Sequence, residues 1–243
     1  MRDQALRDSK QRTMRSRSTI IVFTREPLPG LSKTRLATRI GARNAAALAE
    51  AFTRDALAKV HELGVSVVIA GAASGPLHDN DYFLSLARRF DATLIDQGQG
   101  NLGVRMARVI ARFTPGRVVL MGTDTPSLPV SAIRRGLALI RHNLVVLGPS
   151  LDGGYYLVGI RGAVPDMFRG IRWGGPRVLQ QTVVRLAKFG IRPALAPAWY
   201  DIDRWDDLML LTEHVRRLAY RHASPCPETT KVLTRLGLLQ TYR

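Results

Sequence analysis

The chain has 243 residues, of which 46% are hydrophobic, and it carries a formal net charge of +17. This apolar content is enough for one full core, so we expect a globular α/β domain and exclude a disordered or fibrous chain. The only cysteine, Cys226, has no partner for an internal disulfide, which favours a reducing, cytoplasmic setting. No apolar run approaches the length that a membrane span needs.

The positive charge raises the question of an anionic partner such as nucleic acid. Residues 1–18 hold six basic and two acidic side chains, so they contribute +4 of the total. We expect residues 1–17 to form a basic flexible tail ahead of a single domain at 18–243, because they lack the apolar content to pack. The other basic residues lie scattered, without aromatic interleaving or a helix-turn-helix or zinc signature, so nucleic acid is not a favoured partner.

Strand and helix patterns alternate along the rest of the chain. The predicted elements are, in order, a strand at 18–24, helices at 32–41 and 42–64, a strand at 65–71, a helix at 79–90, a strand at 92–97, a helix at 101–114, a strand at 116–122, a helix at 129–142, strands at 143–149 and 155–160, a helix at 175–190, an extended segment at 192–203, and helices at 204–222 and 228–239. Apolar strands separated by amphipathic helices predict a single α/β domain with a mostly parallel central sheet and helices on both faces.

The loop after the first strand, REPLPGLSKTRL (25–36), is the first candidate site, because ligands of such sheets bind beyond the carboxyl ends of the strands. Pro29 and Gly30 shape the turn, and Ser32 is expected to cap the helix that follows. The amides of that helix start, with Lys33 and Arg35, predict a phosphate-binding cradle. The alternative is a capped helix with two solvated basic residues.

Three aspartates mark the ends of later strands. Asp124 follows the strand at 116–122, and Asp201 and Asp203 stand two apart in extended chain, which directs both carboxylates to the same side. Like charges on one side repel unless a cation neutralises them, so a divalent metal shared with Asp124 is a concrete hypothesis. The alternatives are a turn at Asp124 and a helix cap at Asp203.

A further aspartate, Asp152, precedes two glycines and two tyrosines in the stretch LDGGYYLVGI. An Asp-Gly-Gly hairpin turn explains the pattern without any ligand. The functional interpretation is that Gly153 and Gly154 let the chain approach a ligand closely, while Asp152 contacts a metal, a phosphate-bound cation or a sugar hydroxyl. Of Tyr155 and Tyr156, one is expected to pack inward and the other to face the cleft.

Six motifs carry a family resemblance: PLPGLSKTRLA, GNLGVRM, GTDTPSLP, GPSLDGGYYLVGI, IRWGGPRVLQQT and DIDRWDDL. Taken in order over about residues 18–210, the set resembles the DUF2064 family, provisionally described as GT-A-like nucleotide-diphospho-sugar transferases, some of them glycosyltransferases of arsenosugar biosynthesis. More distantly the chain is similar to phospholactate guanylyltransferases and molybdenum-cofactor nucleotidyltransferases. It departs from the family pattern at Asn101, where aspartate is common, and at Gly174, where serine commonly follows Trp173.

The resemblance implies a GT-A-like fold and a Mg²⁺ or Mn²⁺ ion at Asp124 and Asp203, beside Asp201. The residues expected to take part in catalysis are Asp124, Asp152 and Lys33. The nucleotide is expected at Pro29, Gly30, Lys33, Arg35, Asn101 and Arg105. The donor sugar or the acceptor is expected at Asp152, Gly153, Gly154, Tyr155 and Trp173.

The leading functional hypothesis is a metal-dependent glycosyltransferase that uses a nucleotide-diphospho-sugar donor and an unidentified small-molecule acceptor. The second is a nucleotidyltransferase, similar to phospholactate guanylyltransferase, that consumes a nucleoside triphosphate. The third is a binding protein for nucleotides or nucleic acid that catalyses no reaction. In either enzyme, negative charge develops on phosphate oxygens, and a metal with Lys33 and Arg35 stabilises it.

Overall fold

The computed structural model describes residues 18–163, 166–219 and 224–239. The tail expected at 1–17 lies outside the described residues. Within them, one central sheet of seven strands is flanked by eight α-helices and a short 3-10 helix at Leu77–Asp79. This architecture confirms the predicted α/β class with a mostly parallel sheet.

The strands of the sheet are β1 (Ser18–Arg25), β2 (Ser66–Ala72), β3 (Thr93–Asp96), β4 (Arg117–Met121), β5 (Val145–Pro149), β6 (Tyr155–Arg161) and β7 (Ala194–Leu195). Their order across the sheet is β3-β2-β1-β4-β6-β5-β7. Strand β6 runs antiparallel to β4 and β5, and the other neighbouring pairs are parallel. The carboxyl ends of β1, β2, β3, β4 and β5 therefore open on one edge of the sheet.

The α-helices are α1 (Thr34–Ile40), α2 (Ala42–His61), α3 (Asp81–Arg89), α4 (Leu102–Ala111), α5 (Val130–Leu139), α6 (Val178–Ala187), α7 (Trp205–Ala219) and α8 (Pro227–Arg235). No described helix is both long enough and apolar enough to cross a membrane.

The core lies on both faces of the sheet, which is why its central strands are apolar without alternation. Ile20 and Val22 of β1 pack into one buried cluster, and Ile21, between them, packs into another. A third cluster joins α1, α2, α7 and α8 around Phe52. Helices α7 and α8 thus pack against α1 and α2.

Two buried charged side chains on α2 form hydrogen bonds with distant segments of the chain. The carboxylate of Asp55 accepts hydrogen bonds from the amides of Glu228 and Thr229, so it caps α8. The ammonium of Lys59 donates to the carbonyl of Pro126, in the loop after β4. Helix α2 therefore supports the loop in which Asp124 lies.

Candidate functional site

A cleft of about 830 Å³ opens at the carboxyl edge of the sheet. It is lined by the loops after β1, β4 and β5, by α4, and by the segment that enters α7. This is where a parallel α/β sheet places its ligands. The predicted residues that line it are Lys33, Arg35, Arg105, Asp124, Asp152, Gly154, Tyr155, Trp173, Asp201 and Asp203.

Lys33 lies at the entrance to α1, in a left-handed backbone conformation with φ 46° and ψ 47°. It occupies the N-cap position, and no side chain caps the helix. The expected cap by Ser32 is therefore wrong: its hydroxyl donates towards the carbonyl of Glu26 at 3.4 Å. The turn directs the Lys33 side chain inward, where only 8% of it is exposed.

The ammonium of Lys33 lies between two aspartates that come from distant parts of the chain. Its nitrogen is 2.6 Å from Oδ1 of Asp124 and 2.8 Å from Oδ1 of Asp203. A third bond goes to the carbonyl of Ile202, at 2.6 Å. The two carboxylates are 53% and 40% exposed and open into the cleft. The structure thus brings the two predicted metal ligands together, with a lysine cation between them.

These contacts set the charge states of the cluster. Burial acts to lower the pKa of Lys33, but the nearby carboxylates of Asp124 and Asp203 outweigh it and raise that pKa. Burial acts to raise the pKa of Asp203, but the charge of Lys33 outweighs it and lowers that pKa. The ion pairs therefore keep Lys33 protonated and Asp203 ionised at neutral pH.

Backbone contacts fix the position of Asp203. The amide of Ile202 donates to the carbonyl of Asp124 at 2.9 Å, which joins the two loops directly. The carboxylate of Asp207 accepts from the amides of Asp203 and Arg204, at 3.0 and 2.7 Å. Asp207 is thus the carboxylate that caps the start of α7, and the alternative in which Asp203 does so is wrong.

Asp201 also lines the cleft but faces other partners. Its carboxylate accepts a hydrogen bond from the hydroxyl of Ser150 at 2.8 Å. Burial raises the pKa of Asp201, and the charge of Asp152 adds to the effect. Among the described residues, no group of three or more histidine, cysteine or acidic side chains is arranged to hold a metal. Asp201 is thus hydrogen-bonded to Ser150, whereas Asp124 and Asp203 are paired with Lys33.

The Asp-Gly-Gly loop is shaped by its contact with the chain before α6. The carboxylate of Asp152 accepts from the amide of Gly154 at 2.8 Å, as expected of a turn. Gly153 has φ +90°, and a Cβ added there would lie 2.0 Å from the carbonyl oxygen of Pro176. Gly153 is thus required by a backbone contact and does not line the cleft, whereas Gly154 and Asp152 do.

Aromatic side chains form the wall beside this loop. The rings of Tyr155 and Trp173 meet edge to face with centroids 6.4 Å apart. The indole of Trp173 lies so close to Gly103 that a Cβ there would be 2.8 Å from the ring. Burial raises the pKa of Tyr156 to about 12, and its hydroxyl donates to the carbonyl of Pro197 at 2.8 Å. Both tyrosines line the cleft, whereas the sequence predicted that one would pack inward and only the other would face the cleft.

The remaining predicted residues shape the cleft from outside it. Gly30 has φ +82°, and the amides of Leu31 and Ser32 bond to the carbonyl of Leu28 within the turn that contains Pro29. Asn101 caps α4 through a hydrogen bond from the amide of Val104 at 3.1 Å. None of Pro29, Gly30 and Asn101 lines the cleft.

Sequence reasoning missed several residues that hold the site. Arg25 lines the cleft, Ser150 binds Asp201, and Asp207 orients Asp203. Gln97, only 2% exposed, accepts a hydrogen bond from Arg105 at 2.6 Å. A carboxylate three residues into a helix is a known capping signal and could have identified Asp207.

Comparison with known proteins identifies the family and the fold of the chain. The family model of DUF2064, described as an uncharacterized protein conserved in bacteria, matches residues 44–175. A protein from Desulfovibrio desulfuricans G20, provisionally described as a nucleotide-diphospho-sugar transferase, is 31% identical. The match covers 93% of this chain and 99% of that one, with a TM-score of 0.78.

A more distant likeness extends to 4-diphosphocytidyl-2C-methyl-D-erythritol synthase, which is 11% identical with a TM-score of 0.52. That match covers 80% of this chain and 96% of the other, and it shows a shared fold alone. A search of curated proteins finds no match.

Proposed function

The chain belongs to the DUF2064 family, and we propose that it is a metal-dependent glycosyltransferase that uses a nucleotide-diphospho-sugar donor. The observation that carries the proposal is the convergence of Asp124 and Asp203 on one cation, at the edge of the sheet where ligands bind. The description of the Desulfovibrio relative supports a nucleotide-sugar donor.

The residues present fit a magnesium or manganese ion. Both carboxylates lie within 2.8 Å of one nitrogen, so their oxygens already surround a single cation position. Two carboxylates completed by substrate phosphates are a usual protein site for magnesium. Such an ion would neutralise the charge that develops on the donor phosphates as the sugar leaves. Its entry requires the ammonium of Lys33 to leave its place between the two aspartates.

Lys33 and Arg35 then act on the phosphates. Lys33 gains an anionic partner in place of the carboxylates it releases, which keeps its buried charge paired. Arg35 is 61% exposed at the cleft wall and lies 4.0 Å from Asp203, so it is free to turn towards a diphosphate. Together they stabilise the leaving nucleoside diphosphate.

The carboxylates of Asp152 and Asp201 suit a neutral sugar. Asp152 and Asp201 interact electrostatically and line the cleft with Tyr155. Carboxylate oxygens accept hydrogen bonds from hydroxyl groups, and an aromatic ring gives the apolar face of a sugar a surface to pack on. A second phosphate chain would be repelled there.

A nucleotidyltransferase is the second candidate, and one observation favours it. Arg25 and Arg105 add two cations to the cleft beyond those of the first loop. Cations of this kind could hold the terminal phosphates of a nucleoside triphosphate, which would leave as pyrophosphate.

The two candidates are separated by binding and product analysis. We expect uridine or guanosine diphosphate sugars, with magnesium or manganese, to raise the melting temperature more than the matching triphosphates do. Slow hydrolysis should release nucleoside diphosphate. Asp203→Asn should abolish the metal-dependent part of the shift, whereas the exposed Asp206→Asn serves as a matched control. Pyrophosphate release from a triphosphate without nucleotide-sugar binding would establish the second candidate instead.

A further inference from the structure

Two arginines, Arg25 and Arg105, line the same part of the cleft, since both also line a second hollow beside it. Arg25 is the last residue of β1, and its side chain projects from the same face as that of Phe23, two residues earlier. Arg105 of α4 stacks over Phe23, with its guanidinium carbon 5.8 Å from the ring centroid. The two guanidinium groups therefore lie on the same side of the same strand.

Arg105 is held in place by a buried amide. The side chain of Gln97 donates to the carbonyls of Thr24 and Ala70 at 2.7 and 2.8 Å, which leaves its oxygen to accept from Arg105 at 2.6 Å. The Nε atom of Arg105 is buried and has no hydrogen-bond partner among the described residues. The structure thus fixes a guanidinium with one donor unsatisfied.

Neither arginine has an acidic partner in the part of the chain that the structure describes. No described carboxylate lies within 4.0 Å of Arg25 or Arg105. Burial lowers the pKa of Arg105, and the charge of Arg25 adds to the effect, as expected of two cations in proximity. The repulsion between two like charges held near each other raises the free energy of the ligand-free protein, and a bound anion would offset this repulsion.

The space around the pair is large enough for a ligand. Arg25 and Arg105 line both the main cleft and a second hollow of about 500 Å³. They therefore form the boundary between the two spaces. The second hollow also contains Asp96, whose carboxylate accepts from the amide of Gly98 at 2.6 Å and so has its own partner.

We propose that Arg25 and Arg105 together bind an oxyanion, a phosphate or carboxylate group carried by one of the substrates. The inference rests on the proposed transferase function for the identity of the molecule that carries this group. Two sources share the chemistry: a phosphate of the nucleotide itself, or an acid group on the acceptor or the transferred sugar. The pair is distinct from Lys33, whose charge is already matched by Asp124 and Asp203.

The test uses inorganic phosphate as the probe, measured by calorimetry on the full chain without metal. Arg25→Gln should lose about tenfold in phosphate affinity, while the exposed Arg88→Gln, with the same change of charge, should bind as the wild type does. Because Arg25→Gln removes a repulsion, its melting temperature without phosphate should be unchanged or higher. Wild-type phosphate affinity in Arg25→Gln, or a clear fall in its ligand-free melting temperature, would overturn the proposal.

A second titration identifies the source of the oxyanion. Phosphate is added to protein that is saturated with nucleoside diphosphate. If phosphate binds only by displacing the nucleotide, the arginines bind a phosphate of the nucleotide. If phosphate binds in addition to the nucleotide, and Arg25→Gln abolishes this binding, the arginines bind an acidic acceptor or sugar. Nucleotide-sugar binding is measured in parallel. If it is absent while phosphate binding still depends on Arg25, the proposed function fails and the oxyanion site stands.

Discussion

The ion pair between Lys33 and Asp203 should contribute measurably to the stability of the ligand-free protein. The nitrogen and Oδ1 are 2.8 Å apart, and the lysine is almost completely buried. At an effective dielectric constant of about 20, the direct attraction at this distance is about 6 kcal/mol. Removing the two groups from water offsets most of it, and a hydrogen bond between charged groups retains about 1.5 to 3 kcal/mol.

The expected coupling lies near the lower end of that range. Asp203 is 40% exposed, so water screens part of the attraction. In Asp203→Asn, Lys33 also keeps Asp124 and the carbonyl of Ile202 as partners. We therefore expect a coupling free energy of about 1 to 2 kcal/mol between Lys33→Met and Asp203→Asn.

The assay is a double-mutant cycle by urea denaturation in the presence of a chelator. Arg35 provides the matched control, because its nitrogen is 4.0 Å from Asp203 and its side chain is 61% exposed. The cycle of Arg35→Met with Asp203→Asn should give less than about 0.5 kcal/mol. Equal coupling in the two cycles would refute the claim that Lys33 is the principal partner of Asp203.

Three further predictions follow from individual contacts. Lys33→Met should bind Mn²⁺ alone more tightly than the wild type does, because the competing ammonium is gone; paramagnetic resonance measures this affinity. In the presence of Mn²⁺ the variant should bind nucleoside diphosphate more weakly than the wild type does, which calorimetry measures. Burial lowers the pKa of His214 from 6.5, so the unfolded chain takes up this proton first as pH falls. The free energy of unfolding should therefore decrease as pH falls from 6.5 through the lowered pKa. In His214→Gln, the urea midpoint should change less with pH over this range than it does in the wild type. Gly153→Ala should destabilise far more than Gly30→Ala in thermal unfolding, since both have positive φ but only the first would clash with Pro176.

The fold could be predicted from the sequence because its signals are local. Ile20, Ile21 and Val22 form an apolar run without alternation, which indicates a strand that is buried on both faces. The extended segment at 192–203 is less regular than its apolar content suggests. Only Ala194–Leu195 pairs as a strand, because Pro193 and Pro197 on either side have no amide hydrogen to donate to a sheet.

The location of the cleft was also predictable, but the contacts inside it were not. Aspartates after strands identified its edge, since the carboxyl ends of parallel strands meet there. Whether Asp203 or Asp207 caps α7 depends on the path of the chain, which the bond between Ile202 and Asp124 sets. The approach of Lys33 to Asp203 spans 170 residues of sequence and leaves no periodic signal.

The position of Lys33 has a consequence for how metal and nucleotide bind. A metal ion that arrived alone at Asp124 and Asp203 would leave the buried ammonium of Lys33 without an anionic partner, which is costly. A diphosphate that arrived alone would meet a lysine already neutralised by two carboxylates, and those carboxylates would repel it. When both arrive together, the metal takes the carboxylates and the phosphates take the lysine, so every buried charge keeps a partner. The two ligands should therefore strengthen each other's binding, and Lys33 is the residue through which that coupling acts.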